Sequence, residues 1–358
     1  MRVVQVCSAD APTYGAAMSV VTLVEGLRDA GWEVTCVCKP GSEFADHLLQ
    51  QGFDVREVPL KGKLKPSSVR RMKQIFRELK PTVVHTHLSD STWLGSIAAR
   101  RSRIPCVATV HGMNRPWTYS LARRLIAVSE SARENLVRGG VSPQRVAVVY
   151  NAIRPLKADE FMIREHARQR LGISPEEFVL GTLARLVPLK GIDTAIKASA
   201  FALDRNRGWR LLIFGDGKQA RELKKLAKEL KVSDRVEFLG FRSDARGLLS
   251  ALDVLLFPSR KEAMGMAPAE AMAAGVPVIG STVGGIPEVV GNTGLLCGAE
   301  DVFGFVNGIT ELYNHPEKRA QLGSAAQCRV REHFSVNAMV EGVLNVYASA
   351  ASGKSLGS

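Results

Sequence analysis

The chain has 358 residues, 46% hydrophobic and 23% charged, which suits two globular domains with ordinary cores. That balance excludes disorder, coiled coil and collagen-like fibre. A net charge of +13 calls for an anionic partner without naming one.

In chain order, β-branched runs predict strands at 3–7, 33–37, 55–58, 82–85, 106–110, 125–128 and 146–149. Amphipathic stretches between them predict helices at 16–30, 67–79, 92–101 and 130–138. Such alternation means βαβ units and a parallel sheet. Asn and Pro within 150–156 break the rhythm, and a polar helix is expected from about 159 to 171. A second series has strands at 178–183, 209–214, 235–239, 254–257 and 277–279. Its helices are at 192–204, 218–230, 243–250 and 268–274, with a long helical stretch from 302. The expectation is an α/β chain of two doubly wound Rossmann-like domains, residues 1–156 and 157–335. A last apolar helix at about 336–350 should pack back on the first domain. Ligands of such sheets sit at the carboxyl ends of strands, so the expected site is the cleft between domains.

The longest uncharged run, Ala271 to Pro287, has 17 residues, with two prolines and four glycines. It falls short of the roughly 20 apolar residues of a membrane span. The first apolar run is too short for a signal peptide, so a cytoplasmic chain is expected. The 6 cysteines are scattered, which reads as buried free thiols.

Four segments carry candidate chemistry. Gly215-Asp-Gly-Lys-Gln-Ala220 follows a strand and opens a helix, which fits a dinucleotide fingerprint or a plain turn shaping a site wall. Its place after the second strand of its domain counts against NAD. Arg185 and Lys190 lie in a loop before a helix, where an anion would meet both cations and free N–H groups. Simple solvation is the alternative. Glu262 and Glu270 fit a glycosidase pair poorly, because eight helical residues rise about 12 Å. They suit separate parts of one ligand, or else a surface Glu and one satisfying a helix dipole. In the first domain, the segment Ala11 to Gly15 follows the first strand and His111 ends another. His85 and His87 share a strand face without a third metal ligand, and read as structural.

Together these segments resemble glycosyltransferase family 4, the retaining, nucleotide-sugar-dependent transferases of GT-B fold. The marks are His111-Gly112, Ala127 to Ser131, Val149-Tyr-Asn151, Arg185…Lys190-Gly191, Phe214 to Gly217, Phe238 to Phe241, Glu262…Glu270 with Gly275-Val-Pro-Val behind it, and Gly284 to Glu288. The resemblance implies that Arg185 and Lys190 hold the donor diphosphate. It further implies that Glu270 accepts from the ribose and Glu262 from the transferred sugar. Gly265 and Met266 would cradle sugar and phosphate, with Gly15 and Gly215 beside the donor and Phe241 near the base. His111, Glu262, Arg185 and Lys190 form the implied catalytic set. Ala263 and Met264 replace the common Gly-Phe, which leaves the sugar open. No Asp-x-Asp cluster is present and two permanent cations are, so a metal-free mechanism without cofactor is expected, using a UDP- or GDP-linked donor. The alternatives are an NAD(P)-dependent dehydrogenase using Gly215–Ala220 and a non-catalytic nucleotide-sugar-binding module.

Residues 1–155 carry 22 Lys+Arg against 12 Asp+Glu, so most of the excess charge lies in the first domain. From Leu60 to Arg103 there are eleven cations and two acids, including Lys61, Lys63, Lys65, Arg70, Arg71, Lys73 and Arg77. The helix there has a core-packing face, and its basic face suits anionic lipid headgroups. The expected acceptor is a glycan or lipid-linked sugar, such as lipopolysaccharide core, at the inner face of the membrane. Nucleic acid is not expected, as no recognition motif is present.

Overall fold

In a computed structural model, which describes residues 1–12, 15–62, 65–113, 116–203 and 208–352, the chain forms two units. One is Met1–Arg154 with the C-terminal segment from Ser335, and the other is Pro155–Phe334. Thr13 and Tyr14 of the loop before Gly15, Lys63 of the basic run and Asp204 lie outside the described residues.

The first unit contains β1 (Arg2–Cys7), α1 (Gly15–Asp29), β2 (Glu33–Cys38), α2 (Glu43–Gln50), β3 (Asp54–Glu57), α3 (Pro66–Leu79), β4 (Val83–His87), α4 (Ser89–Arg101), β5 (Cys106–Val110), β6 (Arg124–Ala127), α5 (Glu130–Arg138) and β7 (Val146–Val148). Its parallel sheet has the order β3-β2-β1-β4-β5-β6-β7. β1, β4 and β5 are central, and all their residues but Arg2 are buried, polar ones included. Register places Gln5 beside His85 and His87 beside Thr109, so these polar side chains share one face of the sheet.

The second unit contains α6 (Arg164–Arg170), β8 (Phe178–Leu183), α7 (Ile192–Ala202), β9 (Trp209–Phe214), α8 (Ala220–Glu229), β10 (Val236–Gly240), α9 (Ala245–Leu248), β11 (Val254–Phe257), α10 (Met266–Ala273), β12 (Val278–Ser281), α11 (Ile286–Val290), β13 (Leu295–Cys297), α12 (Val302–Asn314) and α13 (Pro316–His333). The sheet order is β10-β9-β8-β11-β12-β13. Its core gathers Trp209, Leu211 and Ile213 with Ile196, Phe305 and Leu312 from the covering helices. Asp253, 6% exposed, accepts from Arg168 at 2.7 Å, from Arg164 at 2.8 Å and from the Val179 N–H at 2.8 Å. A buried carboxylate needs that many partners.

Helix α14 (Val336–Ser352) packs in the first unit, where Met339, Val343 and Val346 join Leu23, Leu27 and Val107 in one cluster. Some bounds differ from expectation. The helix expected over 159–171 spans only Arg164–Arg170, because a turn precedes it: the Phe161 N–H bonds to Lys157 O and the Glu160 carboxylate takes the Lys157 N–H. The stretch from 302 breaks at Pro316, which opens a new helix but cannot continue the old one. Among the described residues no helix is long and apolar enough to cross a membrane.

Candidate functional site

In the second unit most of the expected residues lie in or beside loops at the carboxyl ends of β8, β9 and β11, with the loop after β12 packed against them. The loop after β8 is pinned flat on the one after β9: the Ala184 N–H donates to Phe214 O at 3.0 Å and the Leu186 N–H to Asp216 O at 2.9 Å. This contact explains the Gly-x-Gly pattern. A Cβ at Gly215 would lie 1.9 Å from Ala184 O, and one at Gly217 would lie 2.4 Å from Leu186 O. Gly215 also has φ +125°, which L side chains rarely adopt. The glycines thus seat the loop that carries Arg185, whose side chain is exposed.

Further along that loop, Gly191 (φ +65°) lets the backbone approach Pro258, whose carbonyl oxygen would lie 2.0 Å from an added Cβ. The loops after β8 and β11 are then tied by the Arg260 N–H to Leu189 O, 2.8 Å, and by the Ser259 hydroxyl to the same oxygen, 3.2 Å. Arg260 grips both Asp193 oxygens, at 2.9 and 2.8 Å. Burial works to raise the Asp193 pKa, but the Arg260 hydrogen bonds and charge hold it below the usual range.

This frame brings Lys190 and Glu262 together. Lys190 Nζ lies 2.6 Å from Glu262 Oε2 and 5.4 Å from the centre of the Phe257 ring. Glu262 Oε1 accepts the Ala263 N–H at 3.0 Å. Gly284 (φ +60°) allows the loop after β12 to press on this carboxylate's backbone, since a Cβ there would lie 1.8 Å from Glu262 O. Gly265 (φ +108°) then turns the chain into α10. At the start of α10 the N–H groups of Met266 and Ala267 have no acceptor within the helix, while Pro268 carries none. Glu270, one turn inside α10, lies 3.6 Å from Arg246 Nε, and burial pushes its carboxyl above the ordinary range. Phe241, just past β10, is 54% exposed.

In the first unit, Gly15 opens α1 after β1, and His111 follows the last residue of β5. His111 Nε2 lies 3.1 Å from His87 Nδ1, and His87 Nε2 lies 2.7 Å from Gln5 Oε1. The Gln5 amide donates to the Tyr347 hydroxyl at 3.0 Å. That hydroxyl lies 2.7 Å from His85 Nδ1, and His85 Nε2 lies 2.7 Å from the Thr109 hydroxyl. Burial lowers all three imidazoles: His111 to about 4, His85 to about 3, and His87 well below the usual value. Each ring is therefore neutral at pH 7. His87, His111, Thr109 and Asn151 border a cavity of about 10 Å³, room for one water.

A family model described as Glycosyl transferases group 1 matches residues 163–329, and one described as Glycosyltransferase Family 4 matches residues 13–155. D-inositol 3-phosphate glycosyltransferase of Streptomyces bingchenggensis is 31% identical over 306 residues, 76% of this chain and 67% of the relative. The chain belongs to glycosyltransferase family 4. N-acetyl-alpha-D-glucosaminyl L-malate synthase of Bacillus anthracis is a further relative, 27% identical over 303 residues and 77% of each chain. The two sheets are those of the GT-B fold: Anabaena HepE, solved in complex with UDP, superposes with a TM-score of 0.85 over 98% of this chain and 100% of its own, at 23% identity.

For this family 4 glycosyltransferase the dehydrogenase alternative is not favoured. Gly215 follows β9, beside the central first strand β8 of its sheet, and its glycine serves backbone packing. Of the expected residues, the fold joins Lys190 with Glu262, and sets Arg185, Gly215, Gly265, Met266, Glu270 and Phe241 at the carboxyl ends of strands in the same unit. His111 and Gly15 belong to the other unit. His85 and His87 read as structural, yet His87 bonds to His111 directly. The His-x-His spacing at the end of β4 was the available signal. Gln5, Tyr347, Arg246 and Arg260 have no signal of their own in sequence.

Proposed function

We propose that this glycosyltransferase is retaining and metal-independent, and moves a sugar from a UDP- or GDP-linked donor to an anionic acceptor. The carrying observation is the Lys190–Glu262 pair, 2.6 Å apart beside the opening of α10. An ammonium, the Arg185 guanidinium and helix N–H groups are donors for a diphosphate, while the carboxylate accepts from sugar hydroxyls. In the reaction the bond between the anomeric carbon and the phosphate oxygen breaks. Its electron pair stays on the diphosphate, which takes the proton of the acceptor hydroxyl. That hydroxyl's oxygen bonds to the same face of the anomeric carbon. Lys190, Arg185 and the N–H groups at Met266 and Ala267 offset the growing phosphate charge, which fixed cations do without a metal ion. Glu270 accepts from the ribose, Phe241 lies by the base, and His111 meets the sugar.

The acceptor half rests on charge. Residues 1–155 hold 22 cations and 12 acids, and Arg70, Arg71 and Arg77 of α3 are exposed while Val69, Met72, Ile75 and Phe76 are buried. The names of the two relatives carry L-malate and inositol 3-phosphate, both anionic. A lipid-linked or lipopolysaccharide-type acceptor adds headgroup attraction, about 1 kcal/mol per cation near an anionic surface. The test is transfer measured with each nucleotide sugar in excess EDTA, with the product anomer read by NMR. Activity is expected to survive EDTA and the configuration to be kept. Loss restored by magnesium, or an inverted product, would overturn the reading. Anionic vesicles should raise turnover of a lipid-linked acceptor, and equal rates without them would remove the membrane from it.

A further inference from the structure

The hydrogen bonds from His111 to Thr109 form one continuous chain, and neutral rings give such a chain a direction. A neutral imidazole has one N–H and one lone pair, so what one nitrogen does fixes the other. Gln5 presents Oε1, an acceptor, to His87 Nε2, which must then carry the proton. His87 Nδ1 is left with its lone pair and accepts from His111 Nε2–H. The His111 proton is thereby spent, and Nδ1 keeps a bare lone pair. Among the described residues that Nδ1 is a buried atom with no hydrogen-bond partner. The other end of the chain closes consistently. The Gln5 amide N–H donates to Tyr347, the Tyr347 hydroxyl donates to His85 Nδ1, and His85 Nε2–H donates to Thr109. Turning the Gln5 amide over would reverse every bond and put the His111 proton on Nδ1.

We propose that Gln5, His87 and Tyr347 are positioning residues that hold His111 with its proton on Nε2, so that Nδ1 accepts a hydrogen bond from a substrate hydroxyl. The proposal rests on His111 meeting the sugar, and it adds which atom does so and what sets it. Tyr347 arrives on α14, 342 positions from Gln5, so this helix completes the wiring of the first unit as well as covering its sheet. The ring of Tyr347 is itself fixed by edge contacts with Trp32, centroids 5.6 Å apart, and His85, 5.5 Å apart.

Two-bond proton–nitrogen correlation spectra of the full chain, labelled on histidine and recorded at pH 7.5, read the tautomer directly. The expected state of His111 is neutral with Nε2–H. An Nδ1–H tautomer or a charged ring overturns the proposal. Gln5→Leu removes the amide that sets direction. It should give mixed His111 tautomers and lower kcat about tenfold, with the donor KM unchanged. Tyr347→Phe keeps the ring contacts and guards against misfolding of the first variant. It should shift the tautomer in the same sense, with a kcat loss of about threefold. If both variants keep Nε2–H and full kcat, the network is purely structural and the proposal falls. His111→Ala with undiminished transfer would overturn the role given to His111, while the wild-type spectrum would still decide the wiring.

Discussion

Both units of this glycosyltransferase are parallel α/β sheets with helices on both faces, yet they bury different kinds of polar group near their strand ends, the first unit's ion pairs Lys39–Asp10 and Arg2–Glu33 being exposed on their acidic side. The first unit buries a neutral chain, Gln5, His85, His87, His111, Thr109 and Tyr347, in which burial keeps every imidazole uncharged. The second unit uses ion pairs: Lys190 with Glu262, Arg246 with Glu270, Arg260 with Asp193 and Arg168 with Asp253. A neutral chain cannot offset a leaving diphosphate, but it can fix the direction of a hydrogen bond. Fixed charges do the reverse: they stabilise an anion strongly and read hydroxyl orientation weakly. The division matches the proposed roles, with charge at the phosphate and direction at the sugar.

The sharpest way to break this comparison is to remove one fixed charge. Lys190→Ala should lower kcat/KM about a thousandfold, the loss typical of one transition-state donor in a water-poor site. It also leaves Glu262, whose side chain is only 16% exposed, without its cation. Steady-state kinetics with saturating acceptor measures it. A loss below about tenfold would mean that the ionic unit does not stabilise the leaving group through Lys190.

Of that ionic half, Lys190, Glu262 and Glu270 stood out in the sequence, because they fall in short loops or beside a turn whose spacing survives folding, whereas Arg246, Arg260, Asp193, Arg168 and Asp253 did not. Arg185 and Lys190 share the loop after β8, and Glu262 and Glu270 flank the turn into α10. The two parallel α/β sheets also followed from apolar runs alternating with amphipathic ones, whereas the order of their strands did not. The 8-residue α2 escaped despite Ser42 capping it at the Ala45 N–H, since two turns carry little periodicity. β13, only 3 residues, escaped for the same reason. The Gly-x-Gly turn was ambiguous because glycine at a strand end serves a ligand or a neighbouring backbone equally well, and here Ala184 and Leu186 are the neighbours. The neutral half was legible only in its histidines, with His111 at the end of β5 and His85 and His87 on one strand face. Gln5 and Tyr347 meet only through the three-dimensional return of α14, and a lone Gln within a strand announces nothing.

A smaller effect, acid, should separate the units. The folded-state values of His85 and His111, about 3 and about 4, lie below the ordinary 6.5. Between those values the unfolded chain binds protons that the folded unit excludes. Stability is therefore whole above pH 6.5 and is lost as pH falls toward 4. The loss is about 1.4 kcal/mol per histidine at pH 5.5. Asp193 and Asp244 are held ionised below the ordinary carboxylate range, so their ion pairs persist throughout this window. Hydrogen exchange at pH 5.5 and 7.5 should show amides of β4 and β5 losing protection while those of β8 and β11 keep it. Earlier loss in β8 and β11 would reverse the comparison.

The smallest predicted effect tests whether the second unit is ionic throughout. Phe241 stands just past β10, 54% exposed, where the Gly215 N–H donates to Gly240 O at 2.8 Å and holds the two loops together. A flat exposed ring suits the face of a nucleobase, and such stacking is worth about 1 kcal/mol or somewhat more. The base is the same in the bound donor and in the transition state, so this energy is uniform binding. Phe241→Ala should therefore raise the donor KM about fivefold to tenfold and leave kcat unchanged. A fall in kcat instead would place Phe241 among the groups that orient the reacting end of the donor. The second unit would then recognise its ligand as one piece, and could not be divided into a charged end for the phosphates and a neutral one for the base.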